Sequence, residues 1–155
     1  MKKILLTLMF AAAIISCGGN KNDKENDATC NNINKENDAT CINLNTDEFL
    51  NRVADFNQEE WKYKGDKPAI VDFYADWCAP CRKQGPILEK IAKKYAGQIY
   101  VYKVNTDENP DVANTFVDQG IPTLLFIPMT GDPTINVGLM QQEEVEKAVE
   151  EILLK

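Results

Sequence analysis

From residue 42 onward, apolar positions fall into short blocks whose spacing alternates between strand-like and helical. Ile42-Asn43-Leu44 alternates like a short strand, and Thr46 is expected to cap a helix over 46–56. Phe49, Leu50, Val53 and Phe56 lie on one face of that helix. Asn57 to Lys67 is polar and irregular, with Trp61 and Tyr63 as candidates for packing on the flank. Pro68 to Ala75 is apolar except for Asp72, the pattern of a strand covered on both faces. From Pro80 a helix should run to about Tyr95, turning Ile87, Leu88, Ile91 and Ala92 inward. Pro86 lies inside it, removes one hydrogen bond and predicts a kink, which Gly85 would ease.

Ile99 to Val104 reads as the next strand, and Asn109-Pro110 as the cap and first residue of a helix to Val117. Thr123 to Pro128 and Thr134 to Val137 form a hairpin around a turn containing Gly131. A last helix over about Gln142 to Leu154 gathers Val145, Ala148, Val149, Ile152 and Leu153 on one face. The order βαβαβαββα predicts an α/β domain: early alternation makes parallel crossovers, and the late hairpin makes the sheet mixed.

Ahead of this domain the pattern changes. Lys2 and Lys3 precede an apolar run from Ile4 to Ile15, broken only by Thr7 and short for a bilayer span. That is the layout of a cleaved export signal over 1–16. Ile14-Ile15-Ser16-Cys17-Gly18 resembles the lipobox of bacterial lipoproteins, which implies lipidation at Cys17; an ordinary cleavage site beside a chance cysteine is the alternative. Residues 17–41 then read as a lipid-anchored flexible linker rich in Asn, Asp, Lys and Glu, with too little apolar surface to fold. As a coil of roughly 23 residues it would span on the order of 25–30 Å. It contains an exact repeat, Lys24-Glu25-Asn26-Asp27-Ala28-Thr29-Cys30, again at Lys35 to Cys41. Cys30 and Cys41 are open to pairing with each other, to exchange with another thiol, or to no chemical role. The expected location is the cell envelope, facing the periplasm on either the inner or outer membrane, where disulfides persist.

The chemistry concentrates in Trp77-Cys78-Ala79-Pro80-Cys81. If Ala79 and Pro80 open a helix, Cys78 stands at its positive end, which lowers a thiol's pKa and makes it a nucleophile. Cys81, about one turn on, can close a disulfide with it or resolve a mixed one. The same spacing makes half of a zinc site, but the chain has no histidine and no second such pair, so metal is not expected. Net charge is −7, or −9 once Lys2 and Lys3 are removed, and no basic patch suggests nucleic acid.

Four separated motifs carry a family resemblance. Ala69-Ile70-Val71-Asp72-Phe73-Tyr74-Ala75-Asp76-Trp77-Cys78, Lys103-Val104-Asn105-Thr106-Asp107-Glu108-Asn109-Pro110, Gly120-Ile121-Pro122-Thr123-Leu124 and Val137-Gly138 occur in the order seen in thioredoxins. The chain over 42–155 resembles that family, with a particular likeness to exported thioredoxins of Bacteroides-type bacteria. The resemblance implies a thioredoxin fold and a redox disulfide between Cys78 and Cys81, with Cys78 exposed and attacking and Cys81 buried and resolving. It implies that Asp72 is a buried carboxylate behind Cys81, that Lys103 neighbours it, and that Pro122 is a cis-proline. Trp77, Ile121, Pro122 and Gly138 would form the substrate surface. No soluble cofactor is called for.

Two departures stand out. Ala79-Pro80 replaces the usual Gly-Pro, and Gln84-Gly85 precedes Pro86. Strongly oxidising relatives commonly carry histidine where this chain has Pro80, which favours a reductant of protein disulfides. The implied partners are disulfide-containing envelope proteins, a membrane or periplasmic electron donor, and the membrane itself through the lipid anchor. The alternatives are a disulfide oxidase or isomerase for exported proteins, and a redox-inert thioredoxin-fold module that binds clients.

Overall fold

The computed structural model describes residues 39–155. The expected signal peptide, Cys17, Cys30 and nearly all of the linker lie outside these residues. Five strands form one sheet in the order β1-β3-β2-β4-β5: β1 (Ile42–Asn43), β2 (Ala69–Tyr74), β3 (Tyr100–Asn105), β4 (Thr123–Ile127) and β5 (Thr134–Val137). The first three are parallel, and β4 and β5 are antiparallel additions, so the mixed sheet expected from the element order is present. The helices are α1 (Thr46–Arg52), α2 (Ala79–Lys94), α3 (Pro110–Phe116) and α4 (Gln142–Ala148). Among the described residues no helix is long and apolar enough to cross a membrane.

Strand alternation divides the core. Val71, Phe73, Tyr102, Val104, Leu125 and Ile127 point to one face, where Phe49 and Val53 of the α1 segment and Val112 of α3 cover them. Ile70, Val101, Leu124 and Phe126 point to the other, against Leu88 and Ile91 of α2 and Val145 and Val149 at the C-terminal helix. Asp72 shares the parity of Ile70, so it stands on the α2 side of the sheet.

Local chemistry moves several expected boundaries. Asn45, not Thr46, caps α1: its side chain accepts from the Glu48 N–H (2.9 Å) while Glu48 accepts from the Asn45 N–H (3.0 Å). The helix ends at Arg52 rather than Phe56, because Asp55 turns its carboxylate onto the Asn57 N–H and the Gln58 amide. This local bonding competes with helix continuation. Phe56 still packs inward, as do Trp61 and Tyr63. Asn109 precedes α3 as expected, but its amide donates to the Asn105 carbonyl (3.0 Å) instead of capping the helix. Helix α2 runs unbroken through Pro86. The final helix is not uniformly α: Val149–Leu153 is a π turn, closed by the Leu154 N–H on the Val149 carbonyl (3.0 Å). That wider turn keeps Val145, Val149 and Leu153, spaced by four, all buried.

Phe49 is fully buried and meets the rings of Phe56, Phe73 and Phe116 with centroids 6.0, 6.4 and 5.4 Å away. Phe49→Ala should cost about 3–5 kcal/mol through lost burial and the cavity left among those rings. Urea unfolding of the oxidised protein checks this, and a loss below about 1 kcal/mol would mean that the cluster collapses freely.

Candidate active site at the start of helix α2

Strand β2 delivers the chain to the sheet's C-terminal edge, where residues 75–78 turn into α2. Cys78 is the helix N-cap, with Pro80 inside the first turn. The Cys81 N–H donates to Cys78 Sγ at 3.2 Å, and the Arg82 N–H to the Cys78 carbonyl at 3.2 Å. Cys78 and Cys81 are joined in a disulfide with S–S 2.05 Å. The turn is held from two sides. Trp77 Nε1 donates to Asp107 (2.9 Å) on the loop after β3, and the Arg82 guanidinium donates to the Asp76 carbonyl (3.1 Å). The Thr106 N–H adds a bond to the Tyr74 carbonyl (2.8 Å).

As residues, the two cysteines are not divided into exposed and buried. Cys78 is 4% exposed and Cys81 5%, both packed with Ala75, Tyr74 and Ile121. The expectation of an exposed Cys78 is therefore corrected for the disulfide form: Ile121 covers it, with the Ile121 carbonyl 3.8 Å from Cys78 Sγ. Trp77 is 69% exposed beside them. A cleft of about 410 Å³ reaches Cys81 between Tyr74, Arg82, Gly85, Glu89 and Lys103.

The segment facing Cys78 contains a cis Ile121–Pro122 peptide bond. The Pro122 carbonyl accepts from the Gly138 N–H at 2.7 Å, which joins the strand-entry loop to the end of β5. Gly138 has φ +98°, where a side chain would strain the backbone. Ile121 is thus the contact through which Pro122 and Gly138 are linked to the disulfide, and Trp77 adjoins it along the chain.

Asp72 is fully buried, and neither carboxylate oxygen has a hydrogen-bond partner. Lys103 lies opposite it in the β2–β3 register. Its ammonium sits over the Tyr74 ring, 4.3 Å from the centroid, and makes no ion pair with Asp72. Burial pushes the Asp72 carboxyl up from 3.8 to about 7, with the Lys103 charge pulling the other way. The group can therefore hold or release a proton near neutral pH. Cys41, by contrast, is unpaired and half-buried just before β1, and burial pushes its thiol up to about 11. Such a thiol is a poor nucleophile, which speaks against an exchange role for it. No cluster of His, Cys, Asp or Glu able to hold a metal occurs among the described residues.

Two contacts at the site differ in how far the sequence signals them. Asp107 reaches Trp77 across thirty residues of chain, and no local pattern announces that bond. Gln84 is fully buried on α2, with Oε1 accepting from the Met140 N–H (2.8 Å). It does carry a signal: a polar residue one turn after Cys81, on the same stripe as Leu88 and Ile91.

Comparison with known proteins agrees with this geometry. The Thioredoxin family model matches residues 40–151. A thioredoxin of Borreliella burgdorferi is 43% identical over 106 residues, covering 68% of this chain and 91% of that one. A chloroplastic M-type thioredoxin of Spinacia oleracea is 35% identical over 109 residues, covering 68% of this chain and 60% of its own. Among solved structures, chloroplastic thioredoxin z superposes with a TM-score of 0.62 at 27% identity, covering 73% of this chain and 94% of that one. The chain belongs to the thioredoxin family. With its paired Cys78 and Cys81, it is a thiol–disulfide oxidoreductase.

The raised Asp72 pKa has a stability consequence. The folded state binds this proton more tightly than the unfolded chain, so stability falls as pH rises from the unfolded value of 3.8 through about 7. Between about pH 4 and about pH 8, wild-type stability relative to Asp72→Asn should drop by roughly a few kcal/mol. Urea titrations of both oxidised proteins across that range measure the difference; a constant offset would show that Asp72 ionises normally.

Proposed function

We propose that this chain is a reductant of protein disulfides in the cell envelope. The observation that carries the reading is the Cys78 sulfur at the α2 N-cap, accepting from the Cys81 N–H at 3.2 Å. Once the pair is reduced, that N–H and the helix terminus stabilise a Cys78 thiolate. The thiolate attacks one sulfur of a substrate disulfide. A Cys78–substrate bond forms, the substrate S–S bond breaks, and the departing thiolate takes a proton from water. Cys81 then loses its proton to Asp72 and attacks Cys78. The Cys78–Cys81 disulfide forms, the second substrate thiolate leaves, and two electrons have passed to the substrate. Asp72 suits this step because its pKa of about 7 lets it accept a thiol proton without holding it permanently.

Lys103, lining the cleft beside Cys81, neighbours the buried carboxylate and acts as its tuning charge. Trp77, Ile121, Pro122 and Gly138 form the docking surface, with the Ile121 backbone beside the sulfur offering a strand-like pairing edge to an extended substrate. Pro80 between the cysteines, in place of the histidine common in oxidising relatives, favours reduction as the direction of flow. Reducing power comes from a dithiol donor of the membrane or periplasm. The pattern Ile14 to Gly18 supports anchoring through a lipid on Cys17, with residues 17–41 as the tether and 42–155 as the catalytic domain.

Trapping tests the mechanism. Cys81→Ser should accumulate mixed disulfides through Cys78 that dithiothreitol releases, while Cys78→Ser/Cys81→Ser should accumulate none. An empty Cys81→Ser trap would overturn the assigned order of attack. For location, Cys17→Ser should move the protein from the membrane fraction to the soluble fraction of its native host; unchanged fractionation would remove the lipid anchor.

A further inference from the structure

We infer that Gln84 is a positioning residue that holds the substrate face against the redox helix. The inference rests on the reading of that face as the docking surface for a protein disulfide. Gln84 lies one turn after Cys81 on the inward stripe of α2, where its neighbours along the stripe are Leu88 and Ile91. A carboxamide there is unfavourable unless it is used, because Nε2 is buried without a partner and loses its hydration. Only Oε1 is engaged, and its donor is the Met140 backbone N–H at 2.8 Å.

The location of that donor gives the bond its meaning. Met140 stands two residues after Gly138, whose own N–H is held by the Pro122 carbonyl at 2.7 Å. One residue further, Gln141 is the N-cap of α4, its N–H donating to the Glu144 carboxylate at 2.6 Å. The segment 138–141 belongs to no strand or helix. It is secured at Gly138 to the cis-proline loop, at Met140 to α2, and at Gln141 to its own helix. The three attachments close a circuit: Cys81 and Gln84 on α2, then Met140, Gly138, Pro122, and the Ile121 carbonyl facing Cys78 Sγ at 3.8 Å. Both walls of the docking surface are thereby referred to the same helix that carries the sulfurs. Loss of the Gln84 bond removes the hydrogen bond between α2 and the 138–140 wall, which is then held by β5, the Pro122 bond, α4 and the packing of the Met140 side chain. Docking of a protein chain should then weaken, whereas the sulfur exchange itself, set at Cys78 and Cys81, should not.

The test uses the full-length protein with insulin as the protein disulfide and dithiothreitol as the donor. Gln84→Met fills the same space with no oxygen, and Gln84→Asn keeps the amide but withdraws it by one methylene. Each should raise KM for insulin about three- to tenfold with kcat within about twofold, the size expected for one net hydrogen bond. Gln84→Glu, which retains an acceptor at the same reach, should return KM toward wild type. Hydrogen exchange supplies the structural readout: the Met140 amide should lose protection in Gln84→Met and Gln84→Asn while the Leu125 amide in β4 keeps it. An unchanged KM in a folded variant whose Met140 amide has lost protection overturns the inference alone, as does a fall in kcat with KM unchanged. A wild-type protein inert toward insulin overturns the functional reading and the inference with it.

Discussion

The structure depends on β2 being hydrogen-bonded on both sides at the centre of the sheet. It pairs with β3 in parallel and with β4 in antiparallel fashion, and five of its six residues are buried. Burial on both faces leaves the strand no freedom of register, since a slip of one residue would send Asp72 among the phenylalanines and Phe73 under α2. Every part of the redox centre takes its position from this strand. Its C-terminal end feeds the turn at 75–78, its parallel neighbour places Lys103 and the loop bearing Asp107, and its antiparallel neighbour begins one residue after Pro122.

A fully paired central strand makes the unpaired carboxylate within it conspicuous. The backbone of β2 is satisfied by the ladder, yet both oxygens of Asp72 are left without a donor and Lys103 lies over Tyr74 instead. An ion pair there would hold the carboxylate charged and unable to exchange protons in the neutral range. The fold tolerates a destabilised carboxylate in the core, and obtains a group that can change charge near neutral pH on the strand that leads into the redox turn. Gln84 belongs to the same pattern, a buried polar side chain on the α2 side of the sheet with an atom left unpaired. Both violate the rule that cores satisfy their polar groups, Asp72 on the strand that feeds the redox turn and Gln84 one turn after Cys81.

Much of this architecture is legible in the amino-acid pattern alone. Element order, the mixed sheet and the inward faces of α2 and the last helix follow from periodicity, because long amphipathic segments signal themselves. Asp72 stands out as one charge in an apolar run, and Cys78 and Cys81 by spacing. What stays hidden depends on contacts distant in sequence or on competition between local bonds. Asp55 shortens α1 by offering a turn that propensity does not weigh, and Asn45 displaces Thr46 as cap because Glu48 answers it. The equal burial of the two cysteines arises from Ile121 folding over them, about forty residues away in the chain. The Met140 partner of Gln84 likewise belongs to a loop whose path is set by Gly138 and α4.

The two tryptophans are distributed in a way that divides optical information between them. Trp77 is exposed and adjacent in sequence to the disulfide, while Trp61 is partly buried and stands edge-on to Phe116, centroids 6.1 Å apart. A disulfide is an efficient quencher of an excited indole at short range. Emission from Trp77 therefore reports the oxidation state of its neighbours, and emission from Trp61 reports whether the aromatic cluster beneath α1 and α3 is intact. The protein carries its own pair of spectroscopic channels, one for redox state and one for folding, within a single domain.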